Sequence, residues 1–192
     1  MDNPDRPIQD VADVAGQLAA RLEELGQAYA FGGAIALGYW GEPRGTLDVD
    51  MTLFVPPEQP TACVRLLHQL GCEVEAAGAV QSLQEHGFCT ARFRQMRVDV
   101  FVPTIPFYEA ARQRRREVLL GQQAIMVWDA ETLCVFKMMF LRRKDLADLA
   151  QVLRVQGQGL DRAWVQARVE EIFGKGDPRL SRWRELCAEV GD

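Results

Sequence analysis

Two apolar segments that carry carboxylates constrain the fold of this chain more than any other feature. The segment at residues 48–55 opens with Asp48 and Asp50, and the segment at residues 97–102 contains Asp99 as its only acid. Both segments are predicted to be strands. Residues i and i+2 of a strand share one face, so Asp48 and Asp50 project together while the residues between them face a core. If the second strand lies beside the first, Asp99 completes a group of three carboxylates.

Such a group needs a counter-charge. Neighbouring carboxylates repel each other unless one is protonated or a cation lies between them. Hard oxygen ligands suit Mg²⁺, and three carboxylates can hold two divalent ions for in-line displacement at phosphorus. Two alternatives remain open: Asp48 and Asp50 lie at a solvated strand edge, or Asp99 forms an ion pair with Arg97 or Arg92.

A glycine pair precedes the first of these strands. Gly32 and Gly33 separate a short predicted strand at residues 28–31 from a brief predicted helix at residues 34–39. Paired glycines allow the backbone to approach a phosphate, and a helix N-terminus adds N–H donors and partial positive charge. Alone, such a pair is more often an ordinary turn than a phosphate-binding turn.

Each group of basic residues in the second half of the sequence has two possible roles. Lys137 interrupts an otherwise apolar helical segment, so it is predicted to be buried and to require an anion, either a nucleotide phosphate or a structural acid. Lys144 and Asp148 stand four residues apart and form either a solvated helix pair or part of a site. The arginines within residues 112–116 are a solvated helix end or a guide for an anionic acceptor such as RNA.

Composition narrows the class of protein. The chain has 192 residues, of which 48% are hydrophobic, and a formal net charge of −5, which excludes a disordered chain and a protein that coats nucleic acid. The five cysteines form no C-x-x-C pair and are predicted to be small buried side chains. There is neither an apolar run of about 18 residues nor a signal-peptide pattern, so we expect a cytoplasmic protein without membrane partners.

The predicted elements divide the chain at Trp128. Residues 1–128 are mixed α and β, and residues 129–192 are predicted to form a C-terminal helical region packed on that core. Besides those already given, strands are predicted at residues 72–75, 87–94, 117–120 and 123–128. Helices are predicted at residues 10–25, 60–70, 107–114, 130–141, 144–156, 161–173 and 179–189.

The motifs together resemble a known superfamily. The sequence FGGA at residues 31–34, then GEPRGTLDVD at residues 41–50, is similar to the signature of polymerase-beta-like nucleotidyltransferases. More narrowly, the form Pro-Arg-x-Thr-x-Asp-x-Asp resembles minimal bacterial nucleotidyltransferases related to abortive-infection (AbiEii-like) toxins, in which a later segment is similar to residues 137–148. The resemblance covers residues 28–150. It implies an α+β nucleotidyltransferase fold: a small mixed or antiparallel sheet flanked by helices, with a helical C-terminal part.

The resemblance also implies roles for the matching positions. Asp48 and Asp50 would ligate two Mg²⁺ ions, with Mn²⁺ as a substitute, and Asp99 would ligate one ion and assist deprotonation of the acceptor. Gly32 and Gly33 would hold the triphosphate through their backbone N–H groups, and Lys137 and Lys144 would also contact the nucleotide. Arg44 and Thr46 would contact either a phosphate or the acceptor.

The activity implied is transfer of a nucleoside monophosphate from a nucleoside triphosphate to an acceptor, with release of pyrophosphate. The acceptor expected is tRNA, a protein or a small molecule. Three other functions use the same fold: a toxin with an antitoxin partner, an antibiotic-modifying enzyme, and a non-catalytic nucleotide-binding protein.

Overall fold

A computed structural model describes residues 10–191 of the protein. Within this range there are nine α-helices: α1 (Val11–Glu24), α2 (Gly33–Trp40), α3 (Pro60–Gln69), α4 (Ala76–His86), α5 (Phe107–Gln113), α6 (Ala130–Phe140), α7 (Arg143–Gln156), α8 (Arg162–Phe173) and α9 (Pro178–Val190). The strands are β1 (Tyr29–Phe31), β2 (Asp48–Leu53), β3 (Phe88–Phe93), β4 (Met96–Phe101), β5 (Arg116–Leu120) and β6 (Gln123–Val127).

The strands form one mixed sheet in the order β3-β4-β2-β1-β6-β5. β2 is parallel to β4, β1 is parallel to β6, and β3 is antiparallel to β4. The two segments predicted as strands at residues 87–94 and 97–102 therefore form an antiparallel pair. A mixed sheet accompanied by helices confirms the predicted α+β class.

The chain divides into two compact units. Of the described residues, the first unit comprises residues 10–29, Thr46–Pro103 and Glu117–Ile125, and the second comprises Ala30–Gly45, Thr104–Arg116 and residues 126–191. The division at residues 128 and 129 stays a prediction, as does the packing of the C-terminal region on a core.

The first unit is built on the alternation of β2, β3 and β4. One face of these strands is apolar and buried, and it is covered by α1, which packs on β2, and by α4, which packs on β3. Val49, Met51, Val98 and Val100 on that face are fully buried. Asp10 caps α1, accepting a hydrogen bond from the backbone N–H of Ala12 at 3.3 Å.

One predicted strand is wrong. In residues 72–75 only Glu73 makes a β-bridge, pairing with Arg92 through backbone hydrogen bonds of 2.7 and 2.8 Å. Glu75 ends the extended stretch because its carboxylate caps a helix, accepting bonds from the N–H groups of Ala77 at 2.9 Å and Gly78 at 2.6 Å. The helix that follows, α4, is absent from the predicted elements.

The second unit is mostly helical. α6 packs against α2, α7 and α8, and α9 packs against α7 and α8. Trp183 is 1% exposed and its indole donates a hydrogen bond to the carbonyl of Arg162 at 3.2 Å, which is the role of a packing anchor. No helix in residues 10–191 has both the length and the apolar character needed to span a membrane.

Candidate active site

The three acids of the predicted cluster lie on one face of the sheet of the first unit. In the parallel pair of β2 and β4, Asp50 is opposite Asp99 and Asp48 is opposite Arg97. Because directly paired residues project to the same side, these four side chains share the face turned away from the buried valines. We call Asp48, Asp50, Arg97 and Asp99 the carboxylate face.

Hydroxyl groups and a guanidinium orient two of these carboxylates. Thr90, opposite Asp99 on β3, donates its hydroxyl to Asp99 Oδ1 at 2.8 Å, and Arg97 Nε donates to the same oxygen at 2.9 Å. Neither bond uses Oδ2 of Asp99. Thr46 donates its hydroxyl to Asp48 Oδ1. The ion pair of Asp99 with Arg97, one of the two alternatives open from sequence, is thus present.

All three acids of the carboxylate face interact electrostatically with Arg97. Its hydrogen bond to Asp99, the charge of Asp99 and the charges of Asp48 and Asp50 together raise the pKa of its guanidinium. Acids on both strands therefore contribute to the negative charge around Arg97.

The donor set suits a hard divalent cation by chemical type. Carboxylate oxygens are the ligands that Mg²⁺ and Mn²⁺ prefer, and Asp50 and Asp99 are aligned on adjacent strands. In the described conformation, however, no group of three or more His, Cys, Asp or Glu side chains within residues 10–191 is arranged as a metal site. The positions of Asp48 and Asp99 follow their bonds to Thr46, Thr90 and Arg97 instead.

The glycine pair lies in the second unit, at the start of α2. Gly32 is the N-cap of this helix, and Gly33, its first residue, has φ +51°, a left-handed conformation that favours glycine. With no side chain at Gly32, the first turn receives no side-chain cap. The N–H groups of this turn are the type of donor that an anion can accept.

Arg44 and Lys137 converge on an acid in the second unit. Asp148 accepts two hydrogen bonds from Arg44, at 3.0 and 3.1 Å, and one from Lys137 at 2.5 Å. Lys137 and Asp148 are buried, and Asp145 lies 4.0 Å from the ammonium of Lys137. We call Arg44, Lys137, Asp145 and Asp148 the Asp148 cluster. The anion of Lys137 in this structure is therefore a structural acid.

Lys144 is not part of this cluster. It is exposed on α7, whereas Asp148 on the same helix is buried against Arg44 and Lys137. The solvated Lys144–Asp148 helix pair considered from sequence is therefore wrong, because Asp148 has two cationic partners elsewhere in the chain.

The basic residues after α5 include one with a clear packing role. Arg114 forms ion pairs with Asp129 at 2.7 Å and Glu131 at 2.8 Å, and its guanidinium lies 4.3 Å from the ring centre of Trp164. Arg114 thus fixes the start of α6 to α8 within the second unit.

Two partners were not found from sequence. Thr90 and Arg92 are both polar residues on β3, and only the antiparallel register places Thr90 against Asp99. Asp148 is 104 residues from Arg44, so no local pattern connects them. The alternation of β3 could have flagged Thr90 as facing away from the core, but not its partner.

No family model and no curated protein matches the sequence. Solved structures do match. The chain is similar to the solution structure of the antibiotic-resistance factor ANT(2'')-Ia, with a TM-score of 0.56 and 13% identity over 91% of this chain and 94% of the other. The crystal structure of ANT(2'')-Ia in complex with adenylyl-2''-tobramycin gives the same TM-score and identity, over 92% of this chain and 98% of the other.

A third similarity extends beyond antibiotic-resistance proteins. An antigenic nucleotidyltransferase-like protein from Paracoccidioides brasiliensis matches with a TM-score of 0.52 and 18% identity, over 93% of this chain and 95% of the other. At these identities the likeness concerns architecture. The chain has the nucleotidyltransferase fold.

Proposed function

We propose that the protein is a divalent-metal-dependent nucleotidyltransferase that moves a nucleoside monophosphate from a nucleoside triphosphate to an acceptor hydroxyl. One observation carries the proposal: Asp48 and Asp50 on β2 share a sheet face with Asp99, which is in register with Asp50 on β4. Clustered carboxylates are costly without a function that uses their charge. The nucleotidyltransferase fold supports the same activity.

The reaction exchanges one phosphorus–oxygen bond for another. The acceptor oxygen forms a bond to the α-phosphorus, the bond from that phosphorus to the leaving oxygen breaks, and pyrophosphate departs. We assign to Asp99 the acceptance of the hydroxyl proton, and to Asp48, Asp50 and Asp99 the binding of Mg²⁺ or Mn²⁺. When bound, the metal neutralises phosphate charge and favours in-line attack. Thr46 orients Asp48 through its hydroxyl.

A further group of residues is assigned to the nucleotide phosphates. We propose that backbone N–H groups at Gly32 and Gly33 donate to the triphosphate, as helix N-termini do for anions. Arg44, with 35% of its side chain exposed, and the exposed Lys144 supply positive charge. Lys137 is 5% exposed and bonded to Asp148, so its proposed contribution is to hold the acid that fixes Arg44.

The acceptor class is the least constrained part of the proposal. The ANT(2'')-Ia complex with adenylyl-2''-tobramycin supports an adenylyl group as the group transferred and an antibiotic such as tobramycin as the acceptor. The nucleotidyltransferase activity expected from the sequence also admits tRNA or protein as acceptor. The experiment therefore tests all three classes of acceptor.

The test is label transfer. The full chain is incubated with each α-³²P-labelled nucleoside triphosphate, Mg²⁺ or Mn²⁺, and an aminoglycoside panel, total tRNA or cell protein. Transfer is expected to one acceptor class, to stop with EDTA, and to fall about a hundredfold or more in Asp48→Asn, the range for losing a group that stabilises the transition state. Asp13→Asn is the matched control, since Asp13 is an exposed acid of the same unit.

Other functions give other results. Metal-dependent nucleotide binding without any transfer would establish a binding protein and refute the proposed activity. The toxin role predicted from sequence adds a cellular requirement: induction of the wild-type chain must arrest growth, induction of Asp48→Asn must not, and an antitoxin must relieve the arrest.

A further inference from the structure

Arg97 occupies an unusual place among the residues of the carboxylate face. It stands opposite Asp48 on β2 and opposite Arg92 on β3, and it is two residues from Asp99 on its own strand. Its side chain is 56% exposed, and its one side-chain hydrogen bond within the described residues goes to Asp99. The guanidinium thus lies at the rim of the acids, attached to them and otherwise in solvent.

Electrostatics explains this position. Like charges directly opposite each other on adjacent strands are destabilising, so Arg97 facing Arg92 is unfavourable by itself. Three carboxylates on the same face offset this repulsion: Asp48 is directly opposite Arg97, and Asp99 accepts a hydrogen bond from its Nε at 2.9 Å. In turn, the guanidinium relieves the repulsion among the acids. The carboxylate face therefore contains its own cation.

We propose that Arg97 is the resident counter-ion of the carboxylate face and sets its affinity for divalent cations, because an arriving ion meets a positive charge already bonded to Asp99. This inference rests on the proposed function, which assigns Asp48, Asp50 and Asp99 to metal binding. Arg97 makes metal binding weaker than the three acids alone would make it. In return, it keeps the acids together when no metal is bound.

The opposite role, in which Arg97 assists metal binding by orienting Asp99, is disfavoured by Thr90. The hydroxyl of Thr90 bonds the same oxygen of Asp99 at 2.8 Å, so Asp99 keeps an orienting partner when Arg97 is removed. What Asp99 loses with Arg97 is a neighbouring positive charge. A cation binds more strongly where a competing cation has been removed.

The test measures Mn²⁺ binding directly. Mn²⁺ alone is titrated into the full chain at fixed ionic strength, and the free ion is followed by electron paramagnetic resonance. Arg97→Gln is expected to bind Mn²⁺ about two- to fivefold more tightly than wild type, the range for an exposed charge pair. Arg97→Lys keeps the charge and is expected to match wild type. Arg92→Gln, the same charge change on the same sheet face without a bond to Asp99, is the matched control.

Thermal unfolding supplies a second readout. In EDTA, Arg97→Gln is expected to melt below wild type, and added Mn²⁺ is expected to raise its midpoint by more than that of wild type. Unchanged or weaker Mn²⁺ binding by Arg97→Gln would overturn the inference, and so would an equal gain in Arg92→Gln or no binding by any variant.

The two proposals fail separately. Label transfer by wild type at saturating Mn²⁺, with no gain in affinity for Arg97→Gln, removes the role of Arg97 and leaves the proposed function intact. Tighter Mn²⁺ binding by Arg97→Gln with no transfer to any acceptor removes the proposed function and leaves Arg97 as the counter-ion of the metal-binding face.

Discussion

Replacing Asp148 with asparagine removes the centre of the Asp148 cluster while keeping the shape of the side chain. Both oxygens of Asp148 accept hydrogen bonds, Oδ1 from Arg44 and Oδ2 from Arg44 and Lys137. An asparagine amide replaces one of these acceptors with an NH₂ donor that faces a cation. The substitution therefore leaves a buried ammonium without its charge partner.

The two cations respond differently to this loss. Arg44 is 35% exposed and can turn to solvent, whereas the side chain of Lys137 is 6% exposed and cannot. Breaking a buried pair by removing one partner costs about 3–5 kcal/mol, and Asp145, 4.0 Å away, places the value for Asp148→Asn near the lower limit. We therefore expect a loss of about 3 kcal/mol in the free energy of unfolding.

Lys137→Met is the matched comparison. It leaves Asp148 with both bonds from Arg44, so we expect it to cost about 1.5–3 kcal/mol, the range for a hydrogen bond to a charged group, and less than Asp148→Asn. The double variant Lys137→Met with Asp148→Asn is expected to be more stable than Asp148→Asn alone, because it no longer buries an unpaired ammonium.

Urea denaturation followed by tryptophan fluorescence measures these changes in the free energy of unfolding. The signal reports on the unit that contains the Asp148 cluster, since all four tryptophans belong to the second unit. A loss below about 1 kcal/mol for Asp148→Asn would refute the reasoning, because it lies under the range for a broken buried pair. A larger loss for Lys137→Met than for Asp148→Asn would refute it too.

The ion pairs of Asp148 also predict that the free energy of unfolding depends on pH. Burial by itself raises the pKa of Asp148, but the hydrogen bonds and charges of Arg44 and Lys137 outweigh burial, and the pKa lies below its usual range. A carboxylate with a lowered pKa contributes its stability above the unfolded pKa of about 4 and loses it as pH falls through the lower folded value. The difference in unfolding free energy between wild type and Asp148→Asn should therefore be full at neutral pH and shrink below about pH 4.

Two further predictions concern single positions. Gly33 has φ +51°, so Gly33→Ala should lower the free energy of unfolding, measured by urea denaturation, by about 1–2 kcal/mol. Gly45 has no left-handed φ and no atoms within 4 Å of an added methyl, so Gly45→Ala should leave that free energy unchanged. Equal effects of the two substitutions would refute the role of backbone conformation. N-ethylmaleimide should label Cys187 alone in the native protein, because the other four cysteines are buried. Burial also raises the pKa of the Cys63 and Cys72 thiols to about 12. A second adduct on the native protein, detected by mass spectrometry, would contradict this prediction.

Much of the local structure was predictable because local rules decide it. The alternation of acid and apolar residues at 48–51 fixes which face of β2 is buried, and Asp10 marks the start of α1 through its cap. α4 was missed because its glutamate cap and small residues give a weak helical pattern next to a stretch that pairs once with β3.

The sequence by itself determined the chemical character of the protein: three acids on two strands, a glycine pair before a helix, and a lysine in an apolar helix. Tertiary structure decided the partners of these residues. The parallel register of β2 and β4 aligns Asp50 with Asp99, the antiparallel register adds Thr90, and folding of the second unit assigns Asp148 to Lys137 and Arg44. The physical reason is that side-chain direction follows from backbone periodicity within a few residues, whereas strand register and buried ion pairs depend on segments far apart in the chain.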